Sequence, residues 1–127
     1  REGSDLTLIS WGASVVETLQ AAERLAEQGV SAEVIDVATI KPLDLATLEA
    51  SVRKTGRCVI VHEAPRSGGI GAEIAASLYE RVLLDLQAPI QRVTAPDIPP
   101  PLYRLEPLYI PGVEDILAAC DLVLHYA

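Results

Sequence analysis

The chain has 127 residues, half of them hydrophobic, with four Tyr, one Trp and neither Phe nor Met; this fits one well-packed domain and argues against disorder. Ten basic residues against eighteen acidic leave a formal charge of −8, which argues against nucleic acid or an anionic membrane as the main partner, since both require a basic footprint. The same balance suits a basic protein partner, and equally a merely soluble acidic surface. No apolar run approaches the ~18 residues needed to span a bilayer. Arg1-Glu2-Gly3-Ser4-Asp5 is a polar turn without the character of a signal or transit peptide, and with no opening Met the chain reads as a fragment of a longer protein. Cys58 and Cys120 lie far apart in apolar company with no C-x-x-C, so buried reduced thiols in a cytosol-like compartment are expected.

In chain order, Leu6 to Ser10 is short, apolar and partly β-branched, the pattern of a strand. After Trp11-Gly12-Ala13, Ser14-Val15-Val16-Glu17 fits a capping box, and Val15, Leu19, Ala22 and Ala26 share one helical face until Gly29 stops the helix. Ala32 to Val37 predicts a second strand. Asp44 then caps a helix that turns Leu45, Leu48 and Val52 inward and ends at Thr55-Gly56. Cys58 to His62 is the most uniformly apolar strand and belongs at the sheet centre. A third helix runs from about Ile70 to Leu84 on Ile74, Leu78 and Val82, and Ile90 to Thr94 is the fourth strand. Such alternation implies parallel strands with right-handed crossovers and helices on both faces. Six of the nine prolines then fall between Pro96 and Pro111, a segment expected to run extended over the surface, pinned by Leu102, Tyr103, Leu105, Leu108 and Tyr109. Pro111-Gly112 opens a last helix carrying Val113, Ile116, Leu117, Cys120 and Leu124.

The turn Arg66-Ser67-Gly68-Gly69-Ile70-Gly71 follows the central strand, where open α/β sheets place ligands. Its N–H groups and the helix start behind it could hold an anion. The pattern is incomplete, however: position 74 is Ile where a dinucleotide fingerprint wants a third Gly, and no Gly-Lys-Ser/Thr occurs. The alternative is a tight turn that needs positive φ and close helix–strand contact. If Gly71 holds positive φ, a bulky replacement costs roughly 1–2 kcal/mol. His62-Glu63 at a strand end could do acid–base chemistry, but a core histidine with its polar tip satisfied is the commoner outcome. His125 reads as a solvated residue near a helix end, and no hydrolase elbow or metal-ligand cluster is present.

Several strings together resemble a known family. Asp5-Leu6-Thr7-Leu8-Ile9-Ser10-Trp11-Gly12 is similar to the opening of the C-terminal domain of transketolase-like enzymes. So are Val34-Ile35-Asp36 with Ile40-Lys41-Pro42-Leu43-Asp44, and Arg66 through Ile74. His62-Glu63-Ala64-Pro65, Leu86 with Ala88-Pro89-Ile90, Arg92-Val93, Pro96-Asp97, Pro99, Glu106-Pro107 and Tyr109-Ile110-Pro111 resemble the beta subunit of thiamine-diphosphate-dependent 2-oxo acid dehydrogenases, the branched-chain type in particular.

That resemblance implies a three-layer α/β/α domain, 1–127, with a mainly parallel doubly wound sheet in strand order 2-1-3-4 and at most a stub of an antiparallel edge strand at Arg1-Glu2-Gly3. It implies no catalytic, cofactor-binding or metal-binding residue in this domain; thiamine diphosphate and magnesium would belong to the parent enzyme, which oxidatively decarboxylates a 2-oxo acid. The domain would be an assembly element, meeting the alpha subunit and a second beta subunit in an α2β2 tetramer and docking the basic subunit-binding domain of the dihydrolipoyl acyltransferase. Interface candidates are Arg66, Ser67, Gly68, Gly69 and Gly71 in the turn, with Asp85, Gln87 and Ala127 for the docking. In related pyruvate-type enzymes an acidic residue precedes the Ala-Pro; here that position is Gln87, and Asp85 lies two residues before it. The implied location is the cytoplasm, or the mitochondrial matrix in a eukaryote. A different class stays open: a free-standing flavodoxin-like module binding a nucleotide or other anion at Ser67–Gly71, which ligand at one hundred times its Kd would stabilise by about 2.7 kcal/mol.

Overall fold

Short apolar strands alternating with amphipathic helices build the sheet the sequence predicts. The computed structural model describes residues 1–127. Strands β1 (Leu6–Ser10), β2 (Ala32–Asp36), β3 (Cys58–Pro65) and β4 (Gln91–Ala95) lie in order β2-β1-β3-β4, and every pairing is parallel. The helices are α1 (Ser14–Glu27), α2 (Leu45–Thr55), α3 (Ile70–Val82), the single turn α4 (Glu106–Tyr109) and α5 (Val113–Leu124). Because side chains alternate along a strand, β1 and β3 supply both cores. Leu8, Val59 and Val61 meet Ala22 and Leu25 of α1 and Ile116 and Val123 of α5. Ile9 and Ile60 meet Leu48 and Val52 of α2 and Ile74 and Leu78 of α3. The result is three layers.

The antiparallel stub is present as one residue pair. The Arg1 amino group donates to the Val34 carbonyl at 3.1 Å, and the Val34 N–H donates back to the Arg1 carbonyl at 2.9 Å. That reciprocal exchange defines an antiparallel pair. Gly3 then presses so closely on β2 that a Cβ would lie 2.2 Å from the Ala32 carbonyl carbon.

Caps and faces follow the sequence with two corrections. Asp44 caps α2, accepting the Thr47 N–H at 3.1 Å and its hydroxyl at 2.6 Å, and Gly29 closes α1 at φ +81°. The capping box at Ser14 does not form: Ser14 already lies inside α1, Ala13 is the N-cap, and no side chain caps the helix. The buried face is Ser14, Thr18, Ala21, Ala22 and Leu25, one position away from the predicted line, and Leu19 is 40% exposed. Small residues let the helix approach the sheet, and the Thr18 hydroxyl is satisfied within the helix by the Ser14 carbonyl at 2.7 Å. The second correction concerns the proline-rich segment. It is not simply extended, since it folds into a 3-10 turn at Tyr103–Leu105 followed by α4. Of its five predicted anchors only Tyr109 is buried; Leu102, Tyr103 and Leu108 are 84–89% exposed.

Cys58 and Cys120 are buried in different cores, on opposite faces of the sheet. Burial pushes the Cys120 thiol up to about 12 and Cys58 further still, so neither is a nucleophile.

Candidate functional site

The chain leaves β1 toward β2 on one side and β3 toward β4 on the other. The carboxyl ends of β1 and β3 therefore flank the switch point, where open α/β sheets bind ligands. Here that place is filled by the protein itself. His62, at the end of the apolar run of β3, is 1% exposed and stacks on Trp11, which follows β1, with ring centroids 5.2 Å apart and planes 15° from parallel. Two glycines make room for the imidazole: a Cβ on Gly71 would lie 2.3 Å from its Nε2, and one on Gly69 3.0 Å from its Cε1.

This overturns two expectations. The predicted satisfied tip is not supplied in good hydrogen-bond geometry by the chain itself, although the Ala64 backbone lies near enough to act on the ring. Gly71 is helical and needed for contact; the positive φ of the turn, +74°, belongs to Gly68. Burial, with the Arg92 charge adding to it, lowers the His62 pKa from its ordinary value, so the ring is neutral at pH 7. Glu63 points to solvent and lines a different cleft with Pro100, Pro101 and Glu106, so His62 and Glu63 do not form an acid–base pair.

The turn is bound by an anion from its own chain. The Asp97 carboxylate, just beyond β4, accepts the Ser67 N–H at 2.8 Å and the Ser67 hydroxyl at 2.6 Å. These bonds, the hydroxyl's first, hold the Asp97 carboxyl below its usual range. Two donors that an external nucleotide or anion would use are thereby occupied. Arg66 and Arg92 add a reciprocal clasp, each guanidinium donating to the other's carbonyl at 2.9 and 3.0 Å. The irregularity of β3 between Val61 and Pro65 swings Arg66 back over β4. Nothing in the sequence reveals that Asp97 reaches back thirty residues. Of the turn's interface candidates, Arg66, Ser67 and Gly68 are exposed, Gly69 is half-buried, and Gly71 is buried and acts through His62.

The other candidates lie at the opposite, amino end of the sheet, where Gln87 lines a cleft that Asp85 and Ala127 do not. Asp85 ends a 3-10 turn, Leu83–Asp85, and is paired with Arg53, whose guanidinium also holds Glu49 at 2.9 Å and the Arg81 carbonyl at 2.8 Å. Gln87 donates its N–H to the Gly56 carbonyl at 2.8 Å. A cleft of about 290 Å³ opens between Tyr79, Leu83, Leu86, Gln87, Pro89 and Tyr126, the last beside Ala127. Leu84, on its flank in sequence, is 98% exposed. This end is apolar with a neutralised acidic group at its margin. No three or more His, Cys, Asp or Glu side chains converge as metal ligands, and no helix is long and apolar enough to cross a membrane.

The layers and the strand order are those of a doubly wound three-layer α/β/α domain whose switch point is packed by its own side chains. Residues 1–116 match the family "Transketolase, C-terminal domain", and the chain belongs to that family. It is 49% identical over 126 residues to the pyruvate dehydrogenase E1 component subunit beta of Staphylococcus epidermidis, covering 99% of this chain and 39% of that protein. The subunit of the same name from Bacillus subtilis is 44% identical over the same span. The chain therefore spans about two fifths of the length of these relatives. Among solved structures, a split-gene transketolase described as an inactive beta4 tetramer superposes with a TM-score of 0.79 at 29% identity, over 98% of this chain and 39% of that one. A 2-oxoglutarate:ferredoxin oxidoreductase from Magnetococcus marinus, at 13% identity and a TM-score of 0.65 over 98% of this chain and 19% of that one, shares the fold.

Proposed function

We propose that the chain is the assembly domain of the beta subunit of a 2-oxo acid dehydrogenase, and that it does no chemistry itself. The observation carrying this reading is the match along 99% of the chain to beta subunits of that enzyme class. The packed switch point and the apolar surfaces left bare at both ends of the sheet support it. On this reading thiamine diphosphate and magnesium are held by the rest of the parent enzyme, which works in the cytoplasm or, in a eukaryote, in the mitochondrial matrix. The partners are an alpha subunit, a second beta subunit and the basic docking domain of the acyltransferase. The amino-end cleft beside Tyr126 and Ala127 is the place proposed for that docking domain, with Asp85 exchanging its internal Arg53 for a basic residue of the partner.

Calorimetric titration of the chain with the isolated docking domain at low salt tests this. Leu84→Asp and Asp85→Lys are each expected to weaken binding at least about tenfold. Unaltered affinity in both variants overturns the docking surface, and decarboxylation by the pure chain overturns the non-catalytic reading. The named relatives point to pyruvate as the parent substrate, whereas His62-Glu63-Ala64-Pro65 and the tail strings point to a branched-chain 2-oxo acid. Turnover of pyruvate against 2-oxoisovalerate by the reconstituted parent enzyme decides between them.

A further inference from the structure

Two guanidinium groups converge at the edge of the sheet without a carboxylate between them. β4 ends the strand order and has a neighbouring strand on one side only. Arg92 lies on it half-buried, and exposed Arg66 is swung over it by the irregularity of β3. Their reciprocal bonds go to main-chain carbonyls and use only Nη1 of each fork. The arginine and lysine ion pairs of the chain lie elsewhere: Arg24 with Glu114, Arg53 with Glu49 and Asp85, Lys54 with Glu33. The nearest acidic groups are already engaged. Asp97 accepts two bonds from Ser67, and Asp115, at the start of α5, accepts the Gly112 N–H at 2.8 Å. The Arg66 charge reaches Asp97 but does less than those Ser67 bonds to hold its carboxyl low. A half-buried cation paired only with carbonyls keeps part of its desolvation cost uncompensated.

Both arginines line one cleft of about 310 Å³, whose apolar side is Val93 with Ala118, Ala119 and Leu122 of α5. With Asp115 the three α5 residues keep helical spacing, so a single helical face closes that side, and its alanines leave the space open. The volume is that of a small ligand pocket. A guanidinium fork matches two oxygens of a phosphate or a carboxylate with two N–H donors. In a chain of net charge −8 no general field draws anions in, so recognition has to be local to this pair. We propose that this cleft binds a small oxyanion, a phosphate monoester or carboxylate with a short apolar body, held by Arg66 and Arg92 against the alanine face of α5. The site lies beside the Ser67–Gly71 turn, whose Ser67 donors Asp97 already takes. It goes beyond the assembly reading and does not depend on it.

Nitrogen–proton correlation NMR on the whole chain, titrated with phenyl phosphate, benzoate and inorganic phosphate, tests the proposal. Saturable shifts are expected at the Arg66 and Arg92 Nε–H groups and along α5 from Ala118 to Leu122. Phenyl phosphate should bind more tightly than inorganic phosphate, because only it reaches the apolar side. Arg66→Gln and Arg92→Gln should each weaken it at least about tenfold. Arg66→Lys keeps the charge but loses the fork, and should weaken it as well. Ala118 is exposed, so Ala118→Phe should leave the circular-dichroism melt in place while abolishing the preference for phenyl over inorganic phosphate. A stronger response to phenyl phosphate than to benzoate assigns a phosphoryl ligand and the reverse a carboxylate; either upholds the site. No saturation by any probe in the millimolar range overturns it. So do shifts confined to Ser67–Gly71, and binding indifferent to the arginine variants. Should Arg92→Gln lower the melt, Arg66→Lys and Ala118→Phe decide by the same readout.

Discussion

Gly71 and His62 act as one unit, and each explains the other. Gly71→Ala places a methyl where the imidazole edge now lies, 2.3 Å from Nε2, and is expected to cost about 1–3 kcal/mol through overpacking. In a His62→Ala background the clash has no second partner. The cost of Gly71→Ala should therefore shrink sharply in a double-mutant cycle followed by urea denaturation. The ring also makes stability depend on pH. Its pKa is lowered in the folded state, so the unfolded chain binds the proton more tightly near its ordinary value of about 6.5. The contribution of neutral His62 is complete above that pH and is lost as pH falls below it. The carboxylates Glu33, Asp44 and Asp97, whose pKa values are also lowered, lose theirs only below about 4.5. Thermal melts of wild type should therefore begin to decline as pH falls below about 6.5, before the carboxylates titrate. His62→Phe, which keeps the stack on Trp11 and removes the titrating nitrogens, should flatten that interval and leave the more acid one.

At the scale of elements, legibility followed how local the deciding interaction was. Asp44 could be read as a cap because its acceptors serve Thr47, three residues on. The sheet order followed from the alternation of apolar strands with amphipathic helices. The face of α1 was missed by one position because hydroxyls sit where a hydrophobic scale expects valine, and what admits Thr18 to the interior is a bond to its own helix. A second buried set was invisible for a longer-range reason. Thr7 of β1 bonds Ser51 at 2.7 Å and Thr55 at 2.8 Å on α2, more than forty residues away, so no pattern within either element announces it. These hydroxyls join α2 to the sheet inside an apolar layer. Thr7→Val, nearly isosteric, leaves both partners short of a bond and is expected to lower the urea midpoint by the equivalent of about 1–3 kcal/mol. The apolar residues after Pro96 were misplaced for the converse reason: hydrophobicity marks what is to be covered, without saying by which chain.

For the whole molecule, the amino-end cleft and the His62–Trp11 stack lie at opposite ends of the strands, roughly 17–20 Å apart for five or six residues, across a sheet packed on both faces. They share no residue, so on the proposed docking at the cleft a change at the stack acts on stability alone and distant sites add independently. Gly71→Ala is therefore expected to lower the urea midpoint while leaving affinity for the isolated docking domain within about twofold of wild type in calorimetric titration at a temperature where both proteins are folded. A loss of affinity as large as that expected for Leu84→Asp would mean that the two ends of the sheet are coupled.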